Sequence, residues 1–317
     1  MSSAATDIFL VAQSYIIYGF SILIICGTIG NILNLYTFLS VKQLRKCPTK
    51  YYVVAESICS LALLLIGLLP RLFIETFQIK YLGNQWLVCK LRIPINQWSS
   101  LTALSIVTFM ALDQYLSTSH NPRWRQMSNV KLAKRLIGSA SIFWFIYNIP
   151  FVVFYDVQVA FGCLIINTAL KQYYSYFHLM VLFGFLPLIF TVTISVLAYR
   201  NVRLIHRLHM TNTRRKLDHQ MTAMVFARVT FMIVCLIPFL AQRFYTINVQ
   251  TDRNNLLRAS IEYLVAAINT SITYLNIAVR IFAILSLRLI DDHEFSRVNS
   301  ISTSLYLLVI VDKSNLH

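Results

Sequence analysis

The sequence predicts an all-α protein, a seven-transmembrane helix bundle whose N-terminus lies outside the cell. Composition is the first reason: 57% of the 317 residues are hydrophobic and only 13% are charged, whereas soluble domains carry about 25% charged residues. The second reason is that seven segments reach the length of about 20 mostly apolar residues that a helix needs to cross a bilayer. The third is that basic residues concentrate in alternate loops.

The predicted spans follow one another with no soluble domain between them. They are residues 12–39, 51–77, 86–117, 132–155, 173–204, 221–245 and 257–287. The third is the least hydrophobic, with Ser99, Thr102 and Thr108 among its polar residues, and such a helix suits the middle of a bundle. We therefore expect an extracellular N-terminus at 1–11, a seven-transmembrane domain at 12–288 and a cytoplasmic tail at 289–317. No basic residue precedes the first apolar run, so we expect no cleaved signal peptide.

Loop charge sets the predicted orientation. The first, third and fifth connections together carry fifteen basic residues against one acid, Asp218. Because basic residues favour cytoplasmic loops, these connections are expected inside the cell and the N-terminus outside. The same placement accounts for most of the net charge of +16, so the basic composition does not call for a nucleic-acid partner.

Two cysteines are predicted to form a disulfide bond. Of the six cysteines, only Cys89 and Cys163 fall on the outer side of the predicted topology, where the environment is oxidising. A bond between them would tie the second outer loop to the start of the third span. The cysteines and histidines do not have the spacing of a metal site, so we expect neither a metal nor a cofactor.

An ordered series of marks runs through the predicted spans. They are Gly30-Asn31, Cys89, Asp113-Gln114-Tyr115, Trp144 with Pro150, Pro187, Cys235-Leu236-Ile237-Pro238 and Asn276. The series resembles the rhodopsin-like (class A) G-protein-coupled receptors, in a divergent form similar to the peptide receptors. The resemblance implies a multi-pass plasma-membrane receptor that transduces an extracellular ligand into signalling by a heterotrimeric G protein.

Several positions depart from the family pattern. Gln114 stands where the family has the Arg of Asp-Arg-Tyr, and Leu236 replaces a Trp. In the seventh span, Ile277 and Arg280 replace the family's Pro and Tyr. The family's helix 2 Asp falls on a neutral residue, and Glu56 lies about one turn away, so these residues do not match the family's sodium site.

The resemblance also implies which residues switch the receptor and face the G protein. Pro187 and Pro238 would let their helices bend, although static kinks that shape packing are the alternative. We hypothesise that Arg280 pairs with Asp113 or Glu56, the alternative being that the side chains extend to the interface. The predicted switch and coupling residues are Asn31, Asp113, Gln114, Tyr115, Pro187, Pro238, Asn276 and Arg280.

The outer half of the bundle is where the resemblance places the ligand. Asn96 occupies the position of an Asp in the amine-binding members, and because Asn cannot pair with an ammonium group, an amine ligand is disfavoured. Arg243 is expected beside Phe239, and an Arg fork binds carboxylates, which favours an acid-bearing ligand or a peptide. Alternatively, the outer arginines pair with Glu75 and Glu262 or extend to the interface. The predicted ligand-binding residues are Asn96, Gln97, Ser100, Phe239, Arg243 and Glu262.

Other functions have less support in the sequence. A transporter or channel is one alternative, yet neither repeated halves nor broken mid-membrane helices are present. A receptor-like protein that does not couple to G proteins is another, since the helix 3 Arg is missing. Enzymatic activity is not expected, because the chain carries no HExxH, no GxSxG and no paired catalytic Asp motif. The expected partners are an extracellular ligand, a G protein and the lipid bilayer.

Overall fold

The computed structural model describes residues 3–40, 47–77, 86–158, 162–205, 212–249 and 255–278. The first span is α1 (Ser3–Ser40). The second runs without a break through α2 (Pro48–Ala62), a π-helical segment (Leu63–Leu68) and α3 (Leu69–Phe77). The third is α4 (Trp86–Ser117). A short helix α5 (Pro122–Met127) precedes the fourth span, α6 (Val130–Phe154).

The rest of the chain follows the same plan. A hairpin of β1 (Tyr155–Gln158) and β2 (Gly162–Ile165) leads into the fifth span. That span comprises α7 (Thr168–Tyr173), a π-helical segment (Tyr174–Phe185) and α8 (Leu186–Ile205). The sixth span is α9 (Asn212–Asn248), and the seventh is described as α10 (Leu256–Ala278). The all-α prediction is thus confirmed, with one two-stranded hairpin added.

Length and hydropathy indicate which helices can cross a membrane. Within the described residues, five helices are long and apolar enough to cross a membrane: Ala4–Ser40, Pro48–Ile74, Val130–Phe154, Thr168–Asn201 and Val225–Asn248. The other two spans, α4 with 32 residues and α10 with 23, are more polar. At 1.5 Å per residue they are still about 48 Å and about 35 Å long. Their polarity reflects their surroundings, since α4 packs against the second, fourth and fifth spans.

The third span forms the centre of the bundle, as predicted. Its polar residues Gln97, Ser99 and Thr102 are buried between helices, where small polar side chains allow close packing. By contrast, the fourth span exposes Phe143 and Ile146. Apolar side chains exposed along a membrane helix are the surface that lipid covers.

Local sequence explains the helix starts and the closest helix contacts. Asn129 caps α6 by accepting a hydrogen bond from the backbone N–H of Leu132 at 2.9 Å, a favourable arrangement for a first turn.

Gly67 and Gly184 lie in the two π-helical segments. A Cβ atom at Gly67 would overlap the Asn96 amide, and one at Gly184 would overlap the side chain of Leu240. Glycine is therefore what allows these neighbouring spans to approach.

The hairpin is anchored to the third span by a covalent bond. Val157 lies opposite Cys163 in the antiparallel register. Cys163 is bonded to Cys89, with the two Cα atoms 5.6 Å apart, so the predicted disulfide is confirmed. Cys89, Phe151 and Tyr155 form a buried cluster beneath the hairpin. The outer loop is thereby held against the outer ends of the third and fourth spans.

The first helix is longer than the predicted first span. It includes residues 3–11, whereas the span was expected to start at residue 12. The division into an extracellular segment, a bundle and a tail stays a prediction, and residues 289–317 lie outside the described residues.

Candidate functional site

A charged junction lies inside the bundle and joins three spans. Arg228 of the sixth span donates two hydrogen bonds to Glu56 Oε1 of the second, at 3.2 Å from Nε and 2.8 Å from Nη2. Its Nη1 donates to the backbone oxygen of Asn276 in the seventh span at 2.9 Å, and also to Asn276 Oδ1. The side chains of Arg228 and Glu56 are only 15% and 4% exposed. We call these three residues the Arg228 junction.

The junction lines a narrow cleft within the bundle. Ser100 and Leu236 line the same cleft, as does Phe183 of the fifth span. Leu236 is the residue that stands where the family has a Trp. The cleft therefore connects a predicted ligand residue, Ser100, with the charged junction through mainly apolar walls.

The inner end of the third span is held by neutral and local contacts. Asp113 accepts a hydrogen bond from Ser128 Oγ at 2.7 Å, and Gln114 Nε2 donates to Thr49 Oγ1 of the second span at 3.3 Å. Asp113 and Gln114 are only 4% and 5% exposed. The acid is thus stabilised by a hydroxyl group in the following loop, and a neutral amide makes the contact to the second span.

At the opposite end of the bundle, three arginines converge. Arg71 lies within electrostatic range of Arg92 in the third span and of Arg243 in the sixth. Arg71 donates to Thr270 Oγ1 at 3.4 Å, and Arg243 stacks on Phe239 with its Cζ 5.2 Å from the ring centre. We call Arg71, Arg92 and Arg243 the mouth arginines.

Tyrosines and amides complete the mouth. Gln97 Nε2 donates to Tyr155 Oη at 3.5 Å, and burial raises the pKa of Tyr155, so this phenol stays protonated. Tyr174 lies near Arg243 and is stacked on His178 with ring centres 4.9 Å apart. These contacts hold an aromatic and amide wall beside the mouth arginines.

Comparison with known sequences identifies the family. A profile of the 7 transmembrane receptor (rhodopsin family) matches residues 30–279, which is most of the chain. The chain belongs to the rhodopsin family of seven-transmembrane receptors. The protein is therefore a multi-pass receptor of the plasma membrane with a seven-helix bundle. The family is one of receptors and not of enzymes.

Curated relatives include somatostatin receptors. The chain is 23% identical to somatostatin receptor type 5 of Rattus norvegicus over 227 residues, covering 68% of this chain and 61% of the relative. It is 26% identical to the Bos taurus receptor over 227 residues, covering 68% and 59%. For the Mus musculus receptor the identity is 27% over 145 residues, covering 44% and 38%. At best, the chain spans about 60% of the length of the curated relatives it matches.

The predicted switch residues are distributed over two regions of the receptor. Asn31 donates to the backbone oxygens of Gly27 at 2.7 Å and Ile277 at 3.3 Å, which ties the first span to the seventh. Tyr115 packs edge-on against Trp124 with ring centres 5.8 Å apart. Pro187 is the second residue of α8, directly after a π-helical segment, and Pro238 lies inside α9.

The sequence did not identify the basic partner that the structure gives Glu56. Arg280 lies outside the described residues, so its pairing with Asp113 or Glu56 stays a prediction. The basic partner that the structure gives Glu56 is Arg228. An arginine within an apolar span is a candidate functional residue. No motif marked Arg228, however, and its partner Glu56 is 172 residues away in the sequence.

The predicted ligand residues separate into two groups. Asn96, Gln97, Phe239 and Arg243 belong to the mouth, and Ser100 reaches the cleft while donating to the backbone oxygen of Asn96 at 2.8 Å. Glu262 instead pairs with Arg258 one turn away at 3.1 Å and accepts from Tyr245 at 3.0 Å. The side chain of Glu75 lies outside the described residues. Arg71 and Arg92, like the mouth tyrosines Tyr155 and Tyr174, were not among the predicted ligand-binding residues.

Proposed function

We propose that this receptor binds a peptide ligand at its outer mouth and transmits the binding event to a G protein at its inner face. Membership of the receptor family supports a signalling role, and the relatives that are named somatostatin receptors support a peptide ligand. The chain is proposed to have no enzymatic activity, because its family is one of receptors. The transporter alternative is not favoured for the same reason.

The observation that carries the proposal is the Arg228 junction. It joins the sixth span to the second and the seventh through a buried ion pair and two hydrogen bonds to Asn276. Because removing one partner of such a pair leaves an uncompensated charge at a cost of about 3–5 kcal/mol, the junction resists separation of these spans. A ligand that favours a second arrangement would have to offset that cost by its difference in affinity for the two states.

Two structural features connect the junction with the mouth. Pro238 interrupts the backbone bonding of α9 between Arg228 and Arg243, so the two halves of the sixth span can change their relative angle. A narrow cleft is lined jointly by Ser100, Leu236 and Arg228. We infer that a ligand that moves the outer half of this helix also strains the Arg228 junction at its inner half.

The inner end of the third span gives the coupling an unusual form. Gln114 makes a neutral hydrogen bond to Thr49 where the family pattern has a charged residue. We propose that Arg228 has taken over the role of the charged tie that holds the resting state. A receptor that does not engage a G protein is the second candidate, because Gln114 cannot supply the positive charge of the family's Arg.

The test is a signalling assay on cells that display the full chain at their surface. Cells would be exposed to a peptide library and monitored for cAMP, calcium and arrestin recruitment, with mock-transfected cells as the control. We expect at least one peptide to produce a G-protein response. Arrestin recruitment without a cAMP or calcium response would support the non-coupling candidate, and no response in any channel despite surface display would contradict both.

A further inference from the structure

We propose that the mouth arginines form an oxyanion site for the free C-terminal carboxylate of a peptide, with Asn96 and Gln97 accepting hydrogen bonds from its amide N–H groups. The inference rests on the proposed function, since it names the chemical class of ligand that the same mouth would take. It adds to that proposal that the peptide carries a negative charge and that its C-terminal end enters the mouth.

The first support is charge. Arg71, Arg92 and Arg243 come from three different spans and lie within electrostatic range as two pairs that share Arg71. Among the described residues, the charged or ionisable groups acting on Arg92 and Arg243 are Arg71 and tyrosines, and no carboxylate is among them. Arg71 and Arg92 are half-buried, whereas Arg243 is exposed, so the repulsion between like charges is strongest for the first two, and an anionic ligand would relieve it.

The second support is the set of hydrogen-bonding atoms that are left over. Arg92 Nη1 is buried without a hydrogen-bond partner among the described residues. Gln97 Oε1 also lacks a partner there, and Gln97 is only 5% exposed. Asn96 Oδ1 is likewise unpaired among the described residues, while the rest of the Asn96 side chain lies against the Tyr274 hydroxyl. Buried polar atoms are normally satisfied in native proteins, so a ligand that supplies their partners would complete the site.

The kinds of atom decide which ligand fits. Arg92 needs an acceptor, whereas the two side-chain oxygens of Asn96 and Gln97 need donors. A peptide C-terminus carries both, because its carboxylate accepts from guanidinium groups and the adjacent backbone N–H groups donate. An isolated inorganic anion or a simple fatty acid would satisfy the arginine and leave the amide oxygens unpaired.

The aromatic residues that line the mouth are suited to packing against a peptide side chain next to the carboxylate. Phe239 packs edge-on against Phe183 with ring centres 5.3 Å apart, and Tyr174 and Tyr274 flank Arg243 and Arg92. Aromatic walls bind apolar and aromatic side chains and also stack with guanidinium groups. A terminal residue with an apolar side chain would therefore be favoured.

The experiment uses purified full-length receptor in lipid nanodiscs without a G protein, so that binding is measured independently of signalling. The probes are N-acetyl-phenylalanine, its C-terminal amide, and 3-phenylpropionate, which keeps the carboxylate but has no amide. We expect the melting temperature to rise with N-acetyl-phenylalanine, to rise less with 3-phenylpropionate and not to rise with the amide. Equal responses to the acid and the amide, or no response to either acid, would overturn the proposal.

Variants test the residues and the empty receptor. Arg92→Gln and Arg243→Gln should each weaken binding of the acid by about tenfold or more, because each removes a charge-assisted hydrogen-bond donor. Lys171→Gln, which removes an exposed charge from the outer helix α7, is the matched control and should bind as the wild type does. Unchanged acid binding in both arginine variants would overturn the assignment.

The ligand-free receptor supplies a measurement that needs no probe. Arg92→Gln should raise its melting temperature relative to Lys171→Gln, because one of three repelling charges is removed. A fall would mean that an acidic side chain beyond the described residues already neutralises the mouth arginines, and the oxyanion site would be refuted. A receptor that binds the acid but fails in every signalling channel would refute the proposed coupling alone.

Discussion

Replacing Arg228 by methionine should destabilise the receptor and raise its ligand-independent activity. Methionine has a similar length but no charge, so Arg228→Met leaves Glu56 buried at 4% exposure without its guanidinium partner. Breaking a buried pair in this way costs about 3–5 kcal/mol. If the junction forms only in the resting state, every 1.4 kcal/mol or so of that cost raises the ratio of active to resting receptor about tenfold.

Stability and switching can be separated by a double variant. Glu56→Leu combined with Arg228→Met replaces both charges by apolar groups, and such replacements are often neutral or stabilising by about 1–4 kcal/mol. We therefore expect the melting temperature of the double variant to recover to the wild-type value or above. Its basal activity should nevertheless stay high, since the tie between the second and sixth spans is still absent.

The assay is basal cAMP or calcium signalling, normalised to surface display, together with thermal unfolding of the purified variants. Arg258→Met is the control, because Arg258 also pairs with a glutamate but is 40% exposed, and surface pairs contribute only about 0–1 kcal/mol. Wild-type basal activity in Arg228→Met at normal display would refute the switch. Additive stability losses of the two single variants in the double variant would refute the pairing.

Four further predictions concern other parts of the receptor. Cys89→Ser or Cys163→Ser opens a loop with a sequence separation of 74 and should cost about 4 kcal/mol, so surface display measured by flow cytometry should fall; unchanged display would contradict this. Gln114→Ala removes the donor to buried Thr49 and should lower the unfolding free energy by about 1 kcal/mol, as thermal unfolding would reveal. Gly67→Ala places a methyl group against Asn96 and should cost about 1–3 kcal/mol through overpacking, with a weaker ligand response; a wild-type dose–response curve would count against the tight approach. Burial raises the pKa of the Cys47 thiol, so less reactive thiolate is present at a given pH. The maleimide labelling of Cys47, measured as the difference between the wild type and Cys47→Ser, should therefore rise only at a more alkaline pH than the labelling of a free cysteine.

Much of the fold could be read from local properties of the sequence. Long apolar runs make membrane helices because only hydrogen-bonded backbone is stable in lipid, and this places α1 and the fourth, fifth and sixth spans without any knowledge of packing. The polar third span was predicted to be central because its polar side chains are stable where other helices, and not lipid, surround them. Cys89 and Cys163 could be paired because only they fall on the oxidising side of the predicted topology. What local reading missed was the hairpin Tyr155–Ile165 between the fourth and fifth spans, which depends on cross-strand pairing.

The site was predictable only where a family mark identified a residue. Asn96, Phe239 and Arg243 were predicted at the mouth because the family resemblance places the ligand in the outer half of the bundle. Arg71 and Arg92 were not among the predicted ligand-binding residues, because a sequence does not indicate which way two guanidinium groups on different helices point. Glu262 was assigned to the ligand although a local partner, Arg258, stands one turn before it.

The sequence alone predicted the number of spans, their orientation, the disulfide bond and the family, since each of these follows from composition and order along one chain. Tertiary structure decided which charges meet. Glu56 and Arg228 are 172 residues apart, and their contact depends on how two helices are rotated and how deeply each lies in the bundle. The same is true of the mouth arginines, which come from three spans. Rotation and depth result from the packing of all the helices at once, so no single segment encodes them.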